Sequence, residues 1–379
     1  MLTLGGRTDN LPGMTKPLRL GFVGAGNNTR RRHIPGFRDC DEIEFVAVAN
    51  SSRESSEAAA AEFGIAHACG NWAEVVHRDD VDAVVIGTWP NLHAEVTCAA
   101  LAAGKHVLCE ARMARDLAEA TRMFDALKAS TGLVAQLVPT PMGMQVGEKV
   151  GQLVRDHYIG DLREVVVTAS TDAVWDFSQP LHWRQQRQLS GLNTLTLGIV
   201  HEAVMRWLPE PVRVLAQQQL YEPNRPVPEA GRYEEVTVPD SVSALVEFKN
   251  DVRAVYRISG VNLFGPGHRI ELYGSRGTVV VEFGETERVF AGRIGDAELA
   301  EVDIAAEDRG SWSVEADFVK SIRDGKKVTR TTFGDGVRYM AFTEAVLRSS
   351  ESGDAVDWPI EPVAHDFETA EPVASAAAP

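Results

Sequence analysis

The sequence predicts an α/β fold: an N-terminal doubly wound parallel sheet, then a second, α+β domain with a mostly antiparallel sheet. Three observations predict it. Short apolar runs alternate with helical segments through the first 140 residues. Those runs are apolar on both faces, as strands buried between two helical layers must be. After about residue 150 the alternation gives way to consecutive strand-like runs with few helices, which points to antiparallel pairing.

Each element has a local reason. Leu18 to Val23 is an apolar run that stops at glycines, and Arg30 to Cys40 follows as a candidate helix. Ile43 to Ala49 reads as a second strand, and Glu54 to Phe63 as a helix rich in the strong helix formers Ala and Glu. Val81 to Gly87 is nearly all apolar; the helix His93 to Ala103 after it ends at Gly104. Val107 to Cys109, Asp116 to Ser130 and Leu133 to Val138 read as strand, helix and strand, the last stopped by Pro139 and Pro141. Right-handed crossovers wind such a series into one twisted sheet.

In the second part, Val165, Val166 and Val167 mark a strand over Leu162 to Ser170, and Gly191 to Leu208 looks helical until Pro209 and Pro211. Strand-like runs follow at Val212 to Gln219, Val242 to Phe248, Val252 to Ser259, Arg269 to Tyr273 and Thr278 to Phe283. Phe248-Lys249-Asn250-Asp251 is a hairpin turn by composition, and Ser313 to Ile322 and Gly336 to Ser350 are closing helices. The expected division is a tail at 1–16, a nucleotide domain at 17–140, a substrate domain at 141–353, and an acidic Pro/Ala-rich tail at 354–379 without Lys or Arg.

Composition narrows the function classes. The 379 residues carry 38 Lys plus Arg against 54 Asp plus Glu, a formal net charge of −16. So acidic a surface disfavours nucleic acid and anionic membranes, yet permits a small basic pocket. No run approaches the ~18–20 apolar residues of a membrane span. Met1 to Lys16 lacks the apolar core of a signal peptide. Cys40, Cys69, Cys98 and Cys109 form no Cys-x-x-Cys pair, which argues against zinc and disulfide-framework readings. The expectation is a reduced cytoplasmic protein without a metal.

The chemistry begins at Gly24-x-Gly26-x-x-Thr29, between the first strand and the first helix. Gly24 permits a tight turn, Gly26 lets a pyrophosphate reach the backbone, and the helix N-terminus around Asn27, Asn28 and Thr29 offers N–H groups and a favourable dipole. Thr29 stands where the fingerprint has its third glycine. The second strand ends at Asn50-Ser51-Ser52-Arg53. No acidic residue is there to hold an NAD ribose, while Ser51, Ser52 and Arg53 suit the 2′-phosphate of NADP and Asn50 can bond a ribose. The cofactor is therefore NAD or NADP.

Thr88-Trp89-Pro90-Asn91-Leu92-His93 and Gly104-Lys105-His106-Val107-Leu108-Cys109-Glu110, with the Gly24 loop, resemble the glucose–fructose oxidoreductase, inositol dehydrogenase and rhizopine-catabolism (Gfo/Idh/MocA) family of NAD(P)-dependent oxidoreductases. The resemblance runs from about Leu18 to Gly353 and is supported at Trp183-Arg184, Leu197-Gly198, Arg206-Trp207, Tyr273 to Thr278, Asp317-Phe318 and Asp324-Gly325. It implies a Rossmann domain followed by an open-faced sheet domain. It also implies a sugar or polyol held between them beside the nicotinamide, and a homodimer or homotetramer packed through the sheet. Thr88, Trp89, Asn91, His93 and Glu110 then fall beside the cofactor.

The departures from the family pattern matter as much. Glu-Lys-Pro is replaced by Glu110-Ala111-Arg112, so the substrate-touching Lys is missing. Aligned on Arg206-Trp207, the usual His and Asp positions hold Val200 and Ala203, and another Asp position holds Thr196. His201 and Glu202 lie one step away, about 100° round the helix. His201 is the first candidate for the base, with Glu202 as its orienter or as the base itself. Arg112 is a candidate for gripping an anion, with Arg184 or Arg187. His93, His182, Trp89, Trp175 and Trp183 are candidates for the pocket wall, with core or loop packing as the alternative for each. Three functions fit: a sugar oxidoreductase; a redox glycosidase that oxidises a ring hydroxyl, eliminates an aglycone, hydrates and restores the cofactor, on a substrate that is neutral or anionic (sulfonated, for example); and a non-catalytic cofactor-bound sensor.

Overall fold

The computed structural model describes residues 16–365 and 367. The expected N-terminal tail up to Thr15 and half of the C-terminal one lie outside them. Six strands, β1 (Leu18–Val23), β2 (Ile43–Ala49), β3 (His67–Ala68), β4 (Ala83–Ile86), β5 (His106–Cys109) and β6 (Ala135–Leu137), form one parallel sheet in the order β3-β2-β1-β4-β5-β6. The order reverses between β1 and β4, which opens a crevice outside their C-terminal ends. The strand β4 is buried throughout and β1 is buried at all but Arg19, as the apolar runs require. Two short elements escape the sequence pattern: β3 has two residues and the helix Trp72–Val76 has five, too few to show a period. The first helix opens with a π-turn at Thr29–His33 before continuing as Ile34–Arg38.

The second sheet has nine strands. They are β7 (Leu162–Ser170), β8 (Pro211–Gln219), β11 (Ser241–Phe248), β12 (Arg253–Ser259), β13 (Gly267–Gly274), β14 (Gly277–Phe283), β15 (Arg288–Arg293), β16 (Ala300–Glu301) and β17 (Val356–Asp357). A separate hairpin, β9 (Asn224–Val227) with β10 (Arg232–Glu235), projects from it. The order is β16-β15-β14-β13-β7-β12-β11-β8-β17, and only β7–β12 is parallel. Burial alternates along β11 and β12, the signature of a sheet covered on one face. The covered face packs Val165, Val167, Tyr256 and Ile258 against the helices Leu197–Val204 and Phe333–Ser352. The other face exposes Leu215, Leu245, Val255 and Tyr273.

One expectation is corrected. The helix expected over Gly191 to Leu208 spans only Leu197–Val204. Residues 191–196 are held instead by the first domain: Leu192 N donates to the Arg115 carbonyl at 2.8 Å, and Asn193 Nδ2 to the Ala114 carbonyl at 2.8 Å. The acidic tail begins on the surface of the sheet: Val356–Asp357 pairs with β8 as an edge strand, and Trp358 and Ile360 pack on the core. The closing helices return to the first domain. Val314, Phe318 and Val319 bury against Leu20, Phe22 and Phe37, and Phe333, Tyr339 and Met340 join the core under β4 and β5. No helix among the described residues is long and apolar enough to cross a membrane.

Candidate active site at the C-terminal edge of the parallel sheet

The loop after β1 is shaped by close approach. Gly24 has φ +85°, and a Cβ there would lie 2.8 Å from the Gly87 carbonyl carbon and the Thr88 nitrogen, so only glycine fits. Gly26 is exposed, and the nearest atom to a Cβ there would be the Gly87 oxygen at 3.5 Å. Its open side leaves room for a phosphate against the backbone. Thr29 replaces the third glycine without blocking the loop: its buried hydroxyl donates to the Gly24 carbonyl at 3.0 Å. Asn27 is exposed at the mouth, while the buried Thr88 hydroxyl lacks a partner. An open glycine and an orphaned hydroxyl at the switch point fit a dinucleotide.

The ribose end differs in part from expectation. The Asn50 side chain is already engaged, accepting from Ala25 N at 2.7 Å and donating to the Ser55 carbonyl at 2.9 Å. It braces the loop rather than reaching for a ribose. Ser51 and Arg53 are exposed there, Arg53 paired with Glu57. Ser52 caps the next helix, accepting from Ser55 N.

Glu110, just past β5, anchors a buried relay. Its Oε1 sits 2.8 Å from His33 Nε2, and His33 Nδ1 sits 2.5 Å from Glu315 Oε1. Asn28 donates to the same Glu110 oxygen, and Trp312 Nε1 donates to Glu315. Burial alone would lower the His33 pKa, but the two carboxylates outweigh it and hold it at about 9. Burial works to raise Glu110, and the contact with His33 overcomes it, leaving this carboxyl below its usual range. Glu110 keeps 13% of its side chain exposed, so the relay has one open end. His33 follows Arg30, Arg31 and Arg32 in sequence, a run whose composition reads as a solvated face. Its one available signal was its place one turn after Thr29 on the buried side. Glu315, 282 residues further on, gave none.

Trp89 and Trp183 stack with centroids 5.4 Å apart, and the Arg184 guanidinium lies 4.2 Å over Trp183. This stack joins the two domains at the rim of the crevice. Arg184 and His182 are solvent-facing there, with His182 Nδ1 accepting from Arg184 N. Trp175 stands apart from the stack, 46% exposed. Arg112 is 7% exposed, and its aliphatic stem crosses Gly198.

Residues 18–136 match the family described as oxidoreductase, NAD-binding Rossmann fold, and residues 148–280 match the GFO/IDH/MocA C-terminal domain. The chain belongs to the Gfo/Idh/MocA oxidoreductase family. A levoglucosan dehydrogenase of Pseudarthrobacter phenanthrenivorans is 27% identical over 353 residues, covering 82% of this chain and 89% of that protein. A dTDP-3,4-didehydro-2,6-dideoxy-alpha-D-glucose 3-reductase of Saccharopolyspora spinosa is 27% identical over 352 residues, 90% and 99% of the two chains. Among solved structures, a levoglucosan dehydrogenase in complex with NADH and L-sorbose shares the fold with a TM-score of 0.81 at 23% identity, covering 91% of this chain and 100% of that one.

Within this Gfo/Idh/MocA scaffold three expected site residues are placed elsewhere. His201 is 2% exposed, stacked on Phe342 at 3.6 Å, with Nδ1 2.9 Å from the Tyr256 hydroxyl. Burial, with Arg338 adding to it, drives its pKa down to about 3. It is a neutral core histidine facing the sheet, not a base at the crevice. Glu202 is 1% exposed and accepts from Thr140 N, Arg206 and Thr331, which makes it a junction between segments. His93 is fully buried, with both ring nitrogens 3.0 Å from the carbonyls of Arg112 and Thr88. It staples two loops instead of edging the pocket. Asn91, in the first turn of the same helix, borders a groove with Arg115 and Arg122, and its Oδ1 is buried without a partner among the described residues.

Proposed function

We propose that this protein transfers a hydride between a ring carbon of a sugar or sugar derivative and the nicotinamide of NAD or NADP. The observation that carries the reading is the open end of the Glu110–His33–Glu315 relay, at the same strand edge as the Gly24–Thr29 cradle. The named substrates of the two relatives, levoglucosan and a deoxysugar nucleotide, support the sugar class.

When bound, the nicotinamide supplies the hydride acceptor or donor. The Gly24–Thr29 loop and the Thr88 hydroxyl hold the dinucleotide. In the oxidative direction a ring C–H loses a hydride and the adjacent hydroxyl loses its proton, leaving a ketone. Glu110 receives that proton in our reading, since the family Lys position is Ala111. His33, charged at neutral pH, orients the carboxylate, and Glu315 fixes the imidazolium. Trp89, backed on one face by Trp183, offers its other face to a sugar ring. We further propose that the exposed sheet face, with Leu215, Leu245 and Val255, pairs with a second copy of the chain.

The test is formation of reduced cofactor at 340 nm with NAD+ or NADP+ across a panel of free sugars, anhydrosugars and glycosides. Steady formation is the expected result. Release of aglycone without net reduction would replace this reading with the redox glycosidase. Cofactor binding without any turnover would leave the sensor.

A further inference from the structure

A buried guanidinium has no counterion among the described residues. Arg112 is 7% exposed, yet no ion pair or hydrogen bond engages its side chain among the described residues, and its Nε is buried without a partner. Taking a cation out of water without a partner is costly, and arginine cannot shed its proton to escape that cost. The arrangement is therefore unfavourable until something negative arrives.

The geometry fixes where that is. The Arg112 stem crosses Gly198 toward Tyr339 and Thr343, and its carbonyl is held by His93, one turn along the helix that begins after Trp89. Trp89 stacks on Trp183, and Arg184 lies over Trp183. Arg184 likewise forms no ion pair among the described residues, and it is close enough to repel Arg112. Two guanidinium groups without ion pairs among the described residues thus lie near one another. Glu110, the carboxylate whose charge reaches Arg184, is already shared between His33 and Asn28.

We propose that the substrate carries an oxyanion, a carboxylate, phosphate or sulfonate group, and that Arg112 from below and Arg184 from the rim bind it. The site is an anion subsite within the sugar pocket, so it rests on the proposed function for its sugar but not for its charge. Planar guanidinium groups pair bidentately with such groups. The dinucleotide phosphates have their own cradle at Gly24–Thr29.

The test uses the full chain saturated with NAD+ at constant ionic strength made up with chloride. Thermal shift and calorimetry are run with sodium sulfate, phosphate and acetate, then with glucose paired with glucuronate and glucose 6-phosphate. Wild type is expected to be stabilised by at least one oxyanion over chloride, and Arg112→Met to lose that binding at least tenfold. Without oxyanion, Arg112→Met should raise Tm, because it removes an uncompensated buried charge. Arg184→Ala should weaken the anion without that gain. The preferred oxyanion separates a tetrahedral group from a carboxylate. Equal anion binding by wild type and Arg112→Met overturns the proposal, as does a tenfold loss of NAD+ binding in that variant, which would assign Arg112 to the cofactor. Anion binding that depends on Arg112, with no sugar oxidised, upholds the subsite and rejects the oxidoreductase reading.

Discussion

At the residue scale, the site turns on which titratable groups are buried with partners and which without. His33 sits between two carboxylates and titrates at about 9, against about 6.5 in an unfolded chain. Its pKa is raised on folding, so its contribution is complete below pH 6.5 and disappears as pH climbs through 9. That contribution is of order 3 kcal/mol. Chemical denaturation between pH 6 and pH 10 should show the decline, and His33→Asn should flatten it. Glu110→Gln should lower kcat by about 10²–10⁴-fold, the usual range for a positioned base, measured by steady-state cofactor reduction. Glu202→Ala should behave in the opposite way. It removes the acceptor for Thr140 N, Arg206 and Thr331, costing about 3–5 kcal/mol in denaturation, with kcat unchanged at temperatures where the variant is folded. His201 shows why residue type alone misled. A histidine one position from a family site looks chemical, yet its partners, Tyr256 and Phe342, lie 55 residues away and on the last long helix.

At the scale of elements, the loop after β1 sets two separable requirements. A Cβ on Gly24 would strike the Gly87–Thr88 backbone, whereas one on Gly26 would meet only an oxygen at 3.5 Å. Gly24→Ala should therefore lower both Tm and NAD+ binding. Gly26→Ala should keep Tm near wild type and weaken NAD+ binding at least tenfold, about 1.4 kcal/mol, by calorimetry. Strands were legible because burial on one or both faces writes a period into the sequence: β1, β2 and β7 begin and end where the apolar pattern does. The segment 191–196 was not legible, because bonds to Arg115 and Ala114 overrule its helical composition. Two-residue strands such as β3 and β17 have no period to read.

At the scale of the whole molecule, the long second sheet keeps one face open, with Leu215, Leu245 and Val255 exposed along three neighbouring strands. A Leu245→Glu, Val255→Glu variant should convert an oligomer into a monomer by light scattering while leaving NAD+ binding intact. The C-terminal helices bind the two domains together: Glu315 reaches His33, and Tyr339 accepts from Met113 N at 2.6 Å. The sequence by itself determined the two-part architecture, the dinucleotide loop and the family. All of these are local patterns, readable from spacing and side-chain type. Only the tertiary structure decided which polar side chains work and which merely pack. It paired His33 with Glu110 and Glu315, drew His201 and Glu202 into the interior, and left Arg112 without a counterion. Burial and partnership depend on residues that meet from opposite ends of the chain, and no local pattern records them.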